Sequence, residues 1–365
     1  IVNKHDFEFG GLLKDCAKKK DLQQGSALHA EILKHRFLLG KSSPYVGSAL
    51  ISMYAKCGAI AKARRVLETL PVRDIISWNA LMTGYAQLGY ANETLDCFVK
   101  MQREGLSPVG VTFTCILKAC GSIRAIDRGK QIHDEIINRG LLDKNIVLGN
   151  ALVDMYAKCG VLAKAQEVLD ELDIRVVISW NALIAGYAQQ GKVHEALCCF
   201  EAMQIEGLSP DEVTVLCVMN ACSHSGLSDE AQIFFGDMSR KYDITPRVEH
   251  HTCMVMVLGC SGHFDKAISV IKAMPSSDYP AVWLTLLASC KKWGNIRLGL
   301  LAFDQAVQAD DNAAAYVLMG SILGAAGMHQ DADKVEACRL KYACCKEGEI
   351  LCGSMEEGKN IYEHF

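Results

Sequence analysis

A chain of 365 residues is too long for one compact core, so it either divides into domains or extends by repetition. Hydrophobic residues make up 50% and charged residues 22%, which excludes a disordered chain. A net charge of −4 excludes a generally basic surface, although one face can still be basic. The 17 cysteines include no Cys-x-x-Cys pair, so we expect buried thiols in a reducing compartment rather than a disulfide framework.

The chain contains a long internal repeat. Residues 76–87 recur as residues 178–189, an offset of 102 positions, with ten of the twelve residues identical. The sequence Met-Tyr-Ala-Lys-Cys-Gly at 53–58 recurs at 155–160 with the same offset. A strict period over two copies indicates a repeat architecture.

Each repeat contains a pair of predicted helices. After residue 75, apolar residues at Trp78, Leu81, Met82 and Tyr85 follow helical spacing. Glycines at 89 and 105 are placed to end the first and second helix. Because a pair of this size cannot bury its apolar faces alone, neighbouring pairs must stack.

Three unit lengths of 31, 35 and 36 residues alternate and sum to the 102-residue period. The predicted units are 6–43, 44–74, 75–109, 110–145, 146–176, 177–211, 212–247 and 248–279. Two looser helix pairs, 280–311 and 312–336, are predicted to cap the C-terminal end. Residues 337–365 show no clear period and are predicted to form a divergent, weakly structured tail.

No motif in the chain predicts an enzyme. His29 and His133 each begin a His-x-Glu stretch, which is half of a zinc-deaminase signature, but the Pro-Cys-x-x-Cys half is absent. His250 and Cys253 lie close together without a second group of metal ligands. No Walker loop, dinucleotide fingerprint, nucleophile elbow or membrane-length apolar run occurs. We therefore expect no catalytic residue, cofactor, metal or membrane span.

The alternating unit lengths and their motifs resemble the plant organellar pentatricopeptide repeat (PPR) proteins of the PLS subclass. The short units carry Ala-Leu-x-x-Met-Tyr-Ala-Lys-Cys-Gly at 49–58 and 151–160. The 35-residue units carry Ser-Trp-Asn-Ala-Leu followed by Gly-Tyr-Ala-Gln, and a long unit carries Gly-Lys-Gln-Ile-His at 129–133. The resemblance covers about residues 6–336.

The resemblance implies an all-α fold, a right-handed α-solenoid of stacked helix–turn–helix repeats. In chain order its units are of types L, S, P, L, S, P, L2 and S2, followed by E1-like and E2-like helix pairs at 280–311 and 312–336. Two features depart from the family. The extension motif Lys-x-Pro-Gly-x-Ser-Trp-Ile-Glu is altered at 346–356, and no DYW deaminase domain follows within the sequence. Both argue against autonomous editing activity.

The resemblance also implies RNA readout, one base per repeat. In the family the fifth residue of a unit faces the base edge, the last residue tunes the choice, and an apolar second residue packs against base faces. The predicted base-reading pairs are Ser48 with Asp74 (guanine), Asn79 with Val109 (pyrimidine), Thr114 with Asn145 (adenine), Asn150 with Val176 (pyrimidine) and Asn181 with Asp211 (uridine). The predicted base-clamping residues are Tyr45, Ile76, Val111, Val147, Ile178 and Val213.

Two structural alternatives remain open for these residues. Periodic core packing would give the same apolar row, and an asparagine near a helix start can be an N-cap.

The implied function is sequence-specific binding of single-stranded organellar RNA, in a chloroplast or mitochondrion. Resemblance to members with E extensions implies a C-to-U editing specificity factor that works with a DYW-type deaminase or editing cofactor in trans. An RNA splicing, stability or translation factor is the first alternative. A tetratricopeptide-like peptide-binding scaffold is the second, but the 31/35/36 alternation differs from the fixed 34-residue pitch of that class.

Overall fold

The computed structural model describes residues 4–35, 43–142, 145–275, 279–309 and 313–348, and the regular secondary structure in these ranges is α-helical. The helices are α1 (Lys4–Lys19), α2 (Leu22–Lys34), α3 (Ser43–Lys56), α4 (Ile60–Thr69), α5 (Ile75–Gln87), α6 (Ala91–Arg103), α7 (Gly110–Ser122), α8 (Ile126–Asn138), α9 (Ile146–Lys158), α10 (Leu162–Glu171), α11 (Val177–Gln189), α12 (Val193–Ile205), α13 (Glu212–Ser225), α14 (Ser228–Lys241), α15 (Val248–Cys260), α16 (Phe264–Lys272), α17 (Pro280–Trp293), α18 (Ile296–Ala309), α19 (Ala313–Ala325) and α20 (His329–Gly348).

Several first helices begin at the first residue of a predicted unit. Helices α5, α7, α11 and α17 start at residues 75, 110, 177 and 280, each the first residue of a predicted unit. Gly89 and Gly105 lie two residues beyond the ends of α5 and α6, with φ of 80° and 77°. Glycine adopts this left-handed conformation without steric cost, which explains why it ends these helices.

The C-terminal end differs from the sequence expectation. Helix α20 continues to Gly348, so the prediction of a weakly structured tail from residue 337 is wrong for the first part of that tail. The stretch from 337 to 347 contains no proline or glycine and is rich in good helix formers, so nothing in it ends the helix. The remaining residues, 349–365, lie outside the described part of the chain, as does most of the altered motif at 346–356.

The chain divides into two compact bodies, residues 1–209 and residues 210–365. In the N-terminal body the first helices α1, α3, α5, α7, α9 and α11 pack against one another in that order. In the C-terminal body α13, α15, α17 and α19 form a corresponding row. Second helices pack against their own first helix, and several within one body also pack against the next first helix, as α6 does with α5 and α7. Within each body, the first helices therefore pack against one another and against second helices.

The repeated motif residues make the same contacts in both copies. Nε1 of Trp78 donates a hydrogen bond to Oε2 of Glu104 at 2.9 Å, and Arg73 pairs with Oε1 of that glutamate at 2.7 Å. The second copy, formed by Trp180, Glu206 and Arg175, repeats this arrangement. The tryptophan motif thus ties together the two helices of its pair and the segment that precedes them.

The two His-x-Glu stretches also have a structural explanation. Nδ1 of His29 lies 2.9 Å from the hydroxyl of Tyr54, and Nδ1 of His133 lies 2.9 Å from the hydroxyl of Tyr156. In each pair the rings meet edge to face, with centroids 5.5 Å apart. Burial is the largest cause that lowers the pKa of both histidines. These residues therefore belong to the packing between repeats.

Candidate nucleic-acid interface

Five of the six predicted base-clamping residues are exposed at the start of their first helices. The exposed members are Ile76 (61%), Val111 (57%), Val147 (63%) and Ile178 (66%) in the N-terminal body and Val213 (47%) in the C-terminal body. Trp78, Leu81 and Met82 of α5 are buried. The core of α5 is thus formed by other residues than Ile76, and packing in the core does not explain the exposed apolar row.

Tyr45, the first residue of the predicted row, differs from the others. It is half-buried, and a Cβ atom built on Gly10 would lie 2.7 Å from its ring and hydroxyl. Tyr45 therefore lies against the backbone of α1, with part of its ring still accessible.

The last residue of a predicted unit is the N-cap of the next first helix. Oδ1 of Asp74 accepts from the backbone N–H of Ser77 at 2.8 Å, and Oδ1 of Asn145 accepts from that of Leu148 at 3.1 Å. In the C-terminal body, Asp211 caps α13 by accepting from the N–H of Thr214 at 2.8 Å. Each cap satisfies a backbone donor that has no partner within its helix. These three predicted base-reading residues thus have a structural role as well.

Val109 and Val176 occupy the same cap position but have no side-chain acceptor. At α7 the hydroxyl of Thr112 instead accepts from the backbone N–H of Val109 at 3.1 Å. At α11 the hydroxyl of Ser179 lies 3.5 Å from the backbone N of Val176. The third residue of the helix therefore supplies the polar contact at these two caps.

The fifth residues lie inside the first turn or two of their helices and are not N-caps. Asn79 is nearly buried, and its Oδ1 accepts a hydrogen bond of 2.8 Å from the hydroxyl of Thr112 on the next first helix. Asn150 is half-buried, and its Oδ1 accepts from Ser179 at 2.5 Å. The capping alternative for Asn79 is therefore wrong.

Thr112 and Ser179 connect residues that the sequence paired only by resemblance. Thr112 contacts both Asn79 and the backbone of Val109, and Ser179 contacts both Asn150 and the backbone of Val176. Sequence reasoning missed these two hydroxyls. The available signal was an asparagine at position five of one unit together with a serine or threonine at position three of the next unit.

The remaining two pairs of the N-terminal body use hydroxyl fifth residues. Ser48 donates to the carbonyl of Tyr45 at 2.9 Å, and Thr114 donates to the carbonyl of Gly110 at 2.9 Å. A Cβ on Gly110 would lie 2.7 Å from Nδ2 of Asn145, so Thr114 and Asn145 converge on this glycine. Both hydroxyl protons are donated to backbone carbonyls of the helix, so the oxygen lone pairs of Ser48 and Thr114 can accept hydrogen bonds.

Asn181 and Asp211, the fifth pair, belong to different bodies. Asn181 is buried to 7% exposure on α11, at the position that Asn79 has on α5.

The described residues contain no group of three or more histidine, cysteine, aspartate or glutamate side chains that could bind a metal ion. Nε2 of His250 donates to the carbonyl of Glu212 at 2.8 Å, and its Nδ1 accepts from the backbone N–H of Arg247 at 3.2 Å. His250 is therefore used within α15 and its contact with α13. Among the helices of the described ranges, none combines the length and apolar character that crossing a bilayer requires.

Family comparisons match the repeat regions of the chain. The PPR repeat family model matches residues 73–122 and 175–224, and the PPR repeat model matches residues 150–174, 213–242 and 249–279. The stacked helix pairs and these matches define a helical-repeat scaffold. The chain is a PPR repeat protein.

Relatives with this name occur in Arabidopsis thaliana. A putative mitochondrial pentatricopeptide repeat-containing protein is 36% identical over 346 residues, covering 94% of this chain and 54% of that protein. The chloroplastic pentatricopeptide repeat-containing protein CRR2 is 36% identical over 342 residues, covering 92% of this chain and 51% of that protein. The chain thus spans about half the length of these relatives.

Solved structures confirm the fold class. PPR10 in complex with an 18-nt psaJ RNA element matches with a TM-score of 0.68 and 16% identity, covering 87% of this chain and 48% of that chain. PPR10 from maize matches with a TM-score of 0.52 and 18% identity, covering 90% of this chain and 53% of that chain. At this level of identity the likeness shows the fold alone, an all-α repeat solenoid.

Proposed function

We propose that this chain binds single-stranded RNA in a sequence-specific manner, one nucleotide per helix pair. The observation that carries the proposal is the row of exposed aliphatic second residues on α5, α7, α9 and α11, each three positions before a polar fifth residue. Repeated exposed apolar side chains indicate an interaction surface. A spacing of one per repeat suits bases that are separated and clamped individually.

The hydrogen-bonding groups support specific base choices. Oδ1 of Asp74 is used by Ser77, and Oδ2 makes no hydrogen bond within the described residues, so it can accept from the N1–H and amino group of guanine. Oδ1 of Asn145 caps α9, so its Nδ2 can donate to N1 of adenine. With Asn79 and Asn150 on pyrimidines and Asn181 on uridine, the units from 44 to 211 prefer G-Y-A-Y-U, where Y is a pyrimidine.

Binding of short RNAs tests this proposal. The purified chain should bind an RNA containing G-Y-A-Y-U more tightly than RNAs in which the same bases are permuted. The salt concentration must be held fixed and stated, because contacts to phosphates weaken as salt rises. Equal binding to all permutations would overturn sequence-specific recognition. Binding to apolar peptides in place of RNA would favour a peptide-binding scaffold.

The finer proposal is that the chain directs C-to-U editing in a chloroplast or mitochondrion, with a DYW-type deaminase supplied in trans. The mitochondrial and chloroplastic names of relatives support an organellar site of action. The helix pairs between residues 283 and 336 are the proposed docking region for that partner. Sequencing organellar transcripts from a line that lacks the gene tests this proposal. At the target site these transcripts should keep a cytidine where transcripts of the normal line carry a uridine. Changed splicing, stability or translation with all sites edited would favour the alternative roles.

A further inference from the structure

The reading amide of Asn79 is held by a side chain that belongs to the next repeat. The hydroxyl of Thr112 accepts from the backbone N–H of Val109 at 3.1 Å and lies 2.8 Å from Oδ1 of Asn79. Thr112 is fully buried. Nδ2 of Asn79 makes no hydrogen bond within the described residues, and this atom is not fully buried. One end of the amide is therefore engaged by the protein and the other is accessible.

The same arrangement occurs two first helices later. Ser179 lies 2.5 Å from Oδ1 of Asn150, and its oxygen faces the backbone N–H of Val176 at 3.5 Å. In both places the N-cap residue is a valine, which has no acceptor of its own.

A third position shows what happens when the cap residue does have an acceptor. Ser77, the third residue of its unit, donates its hydroxyl proton to Oδ1 of Asp74 at 2.7 Å. No hydrogen bond joins Ser77 to Ser48, the fifth residue of the preceding unit, among those of the described chain. At α5 the hydroxyl proton therefore goes to the cap residue Asp74, whereas at α7, where the cap is a valine, it goes to the preceding fifth residue Asn79.

This geometry fixes the orientation of the Asn79 amide. The Thr112 oxygen already accepts from Val109, so its own proton needs an acceptor, and Oδ1 of Asn79 supplies it. If the Asn79 amide were rotated by 180°, so that Nδ2 and Oδ1 exchanged places, Nδ2 would donate to the Thr112 hydroxyl. The hydroxyl proton of the buried Thr112 would then have no acceptor. The asparagine therefore presents N–H donors, and not its carbonyl, to a bound base.

We propose that Thr112 and Ser179 are positioning residues that fix Asn79 and Asn150 as hydrogen-bond donors and so make these two repeats prefer cytidine over uridine. The inference rests on the proposed RNA binding and deepens it. Cytosine has an unprotonated N3 beside O2, so its edge offers adjacent acceptors. Uracil has a proton on N3, so an Asn N–H donor that is directed at N3 meets a second donor at that atom. Val109 and Val176 contribute by leaving the hydroxyl proton without a competing acceptor.

The test compares four RNAs that differ only at the nucleotide read by Asn79, the second position of G-Y-A-Y-U. Unsubstituted protein should bind the cytidine RNA about fivefold to tenfold more tightly than the uridine RNA, the scale of one hydrogen bond. In Thr112→Val the side-chain shape is kept but the hydroxyl is lost, so the amide can rotate and the ratio should fall close to one. Thr112→Ser restores a hydroxyl and should restore the ratio.

Thr94→Val is the matched control. Thr94 is also a fully buried threonine, and its hydroxyl donates to the carbonyl of Tyr90 at 2.8 Å, away from any predicted base-reading residue. It should change stability without changing the cytidine-to-uridine ratio. Ser179→Ala, tested at the nucleotide read by Asn150, provides a second site if Thr112→Val does not fold.

The outcomes separate the two proposals. The positioning role is overturned, while RNA binding stands, if Thr112→Val and Ser179→Ala keep the cytidine-to-uridine affinity ratio of the unsubstituted protein. The same conclusion follows if Thr94→Val lowers that ratio as much as Thr112→Val does. A wild-type ratio at or below one would likewise overturn the positioning role alone. If the unsubstituted protein shows no base preference at any nucleotide, the proposed function fails and the inference fails with it.

Discussion

Oδ1 of Asp74 accepts two hydrogen bonds from Ser77, one from its backbone N–H at 2.8 Å and one from its hydroxyl at 2.7 Å. These bonds make Asp74 the N-cap of α5, although it is also a predicted base-reading residue. Oδ1 caps the helix, and Oδ2 can accept a hydrogen bond from a base. Substitution at this residue can therefore separate stability from recognition.

Asp74→Asn should change recognition while preserving the helix. Asparagine caps as well as aspartate, so the free energy of unfolding should change by less than about 0.5 kcal/mol. The second oxygen is replaced by a donor, so the preferred first nucleotide of G-Y-A-Y-U should change from guanosine toward adenosine. Chemical denaturation and RNA titration measure the two effects. Asp74→Ala, the control, should lose base selection and about 1 kcal/mol of stability. Continued preference for guanosine in Asp74→Asn would contradict the assignment.

Ile76→Ala should weaken RNA binding without destabilising the fold. The side chain is 61% exposed, so its removal creates no cavity and should alter the unfolding free energy by less than about 0.5 kcal/mol. Val72→Ala is a matched control, because Val72 is also 61% exposed and lies outside the predicted row. Equal RNA affinities of the two variants, measured by titration, would show that Ile76 does not clamp a base.

The folded state should lose stability in mild acid partly through His133. Burial lowers the pKa of this histidine in the folded protein, whereas the unfolded chain binds the proton near about pH 6.5. Above that pH both states are neutral and no stability is lost. As the pH falls below it, the unfolded state is protonated first, so stability falls until the pH reaches the lower folded pKa. The loss between pH 7.5 and 5.5 should be smaller in His133→Gln, as urea unfolding at both values would measure. An unchanged loss would contradict this role.

Neighbouring cysteines should differ in reactivity. Cys198 is exposed, whereas burial raises the pKa of the Cys199 thiol to about 12. Because the thiolate is the nucleophile, iodoacetamide at pH 8 should modify Cys198 in the folded protein and leave Cys199 unmodified. Peptide mass spectrometry distinguishes the two sites, and denatured protein should show both modified. Equal modification in the folded state would contradict the burial of Cys199.

The sequence predicted helix positions better than it predicted the roles of individual side chains. The 102-residue period relates Ile75 to Val177, and both are the first residues of their helices. The exposure of Ile76 could not be predicted, because an isoleucine at helical spacing suits a core or a surface equally. Its side of the helix is decided by where the second helices pack.

Two further features, one contact and one helix end, were not predicted from the sequence. The hydrogen bond from Thr112 to Asn79 joins residues 33 positions apart, and it exists only because first helices stack in register. The extension of α20 to Gly348 was missed because loss of the repeat pattern was interpreted as loss of structure. Helix propensity continues there without the period, because residues 337–347 include good helix formers and no proline or glycine.

A single substitution at Asn181 tests most directly whether the fifth residue of a unit selects the base. Asn181→Thr leaves Asp211 unchanged and replaces an amide by a hydroxyl. Affinities should be measured for four RNAs that differ only at the last nucleotide of G-Y-A-Y-U. The unsubstituted protein should prefer uridine there, and the variant should shift toward guanosine with the other four positions unaffected. An equal fall in affinity for all four RNAs would contradict base selection by this residue.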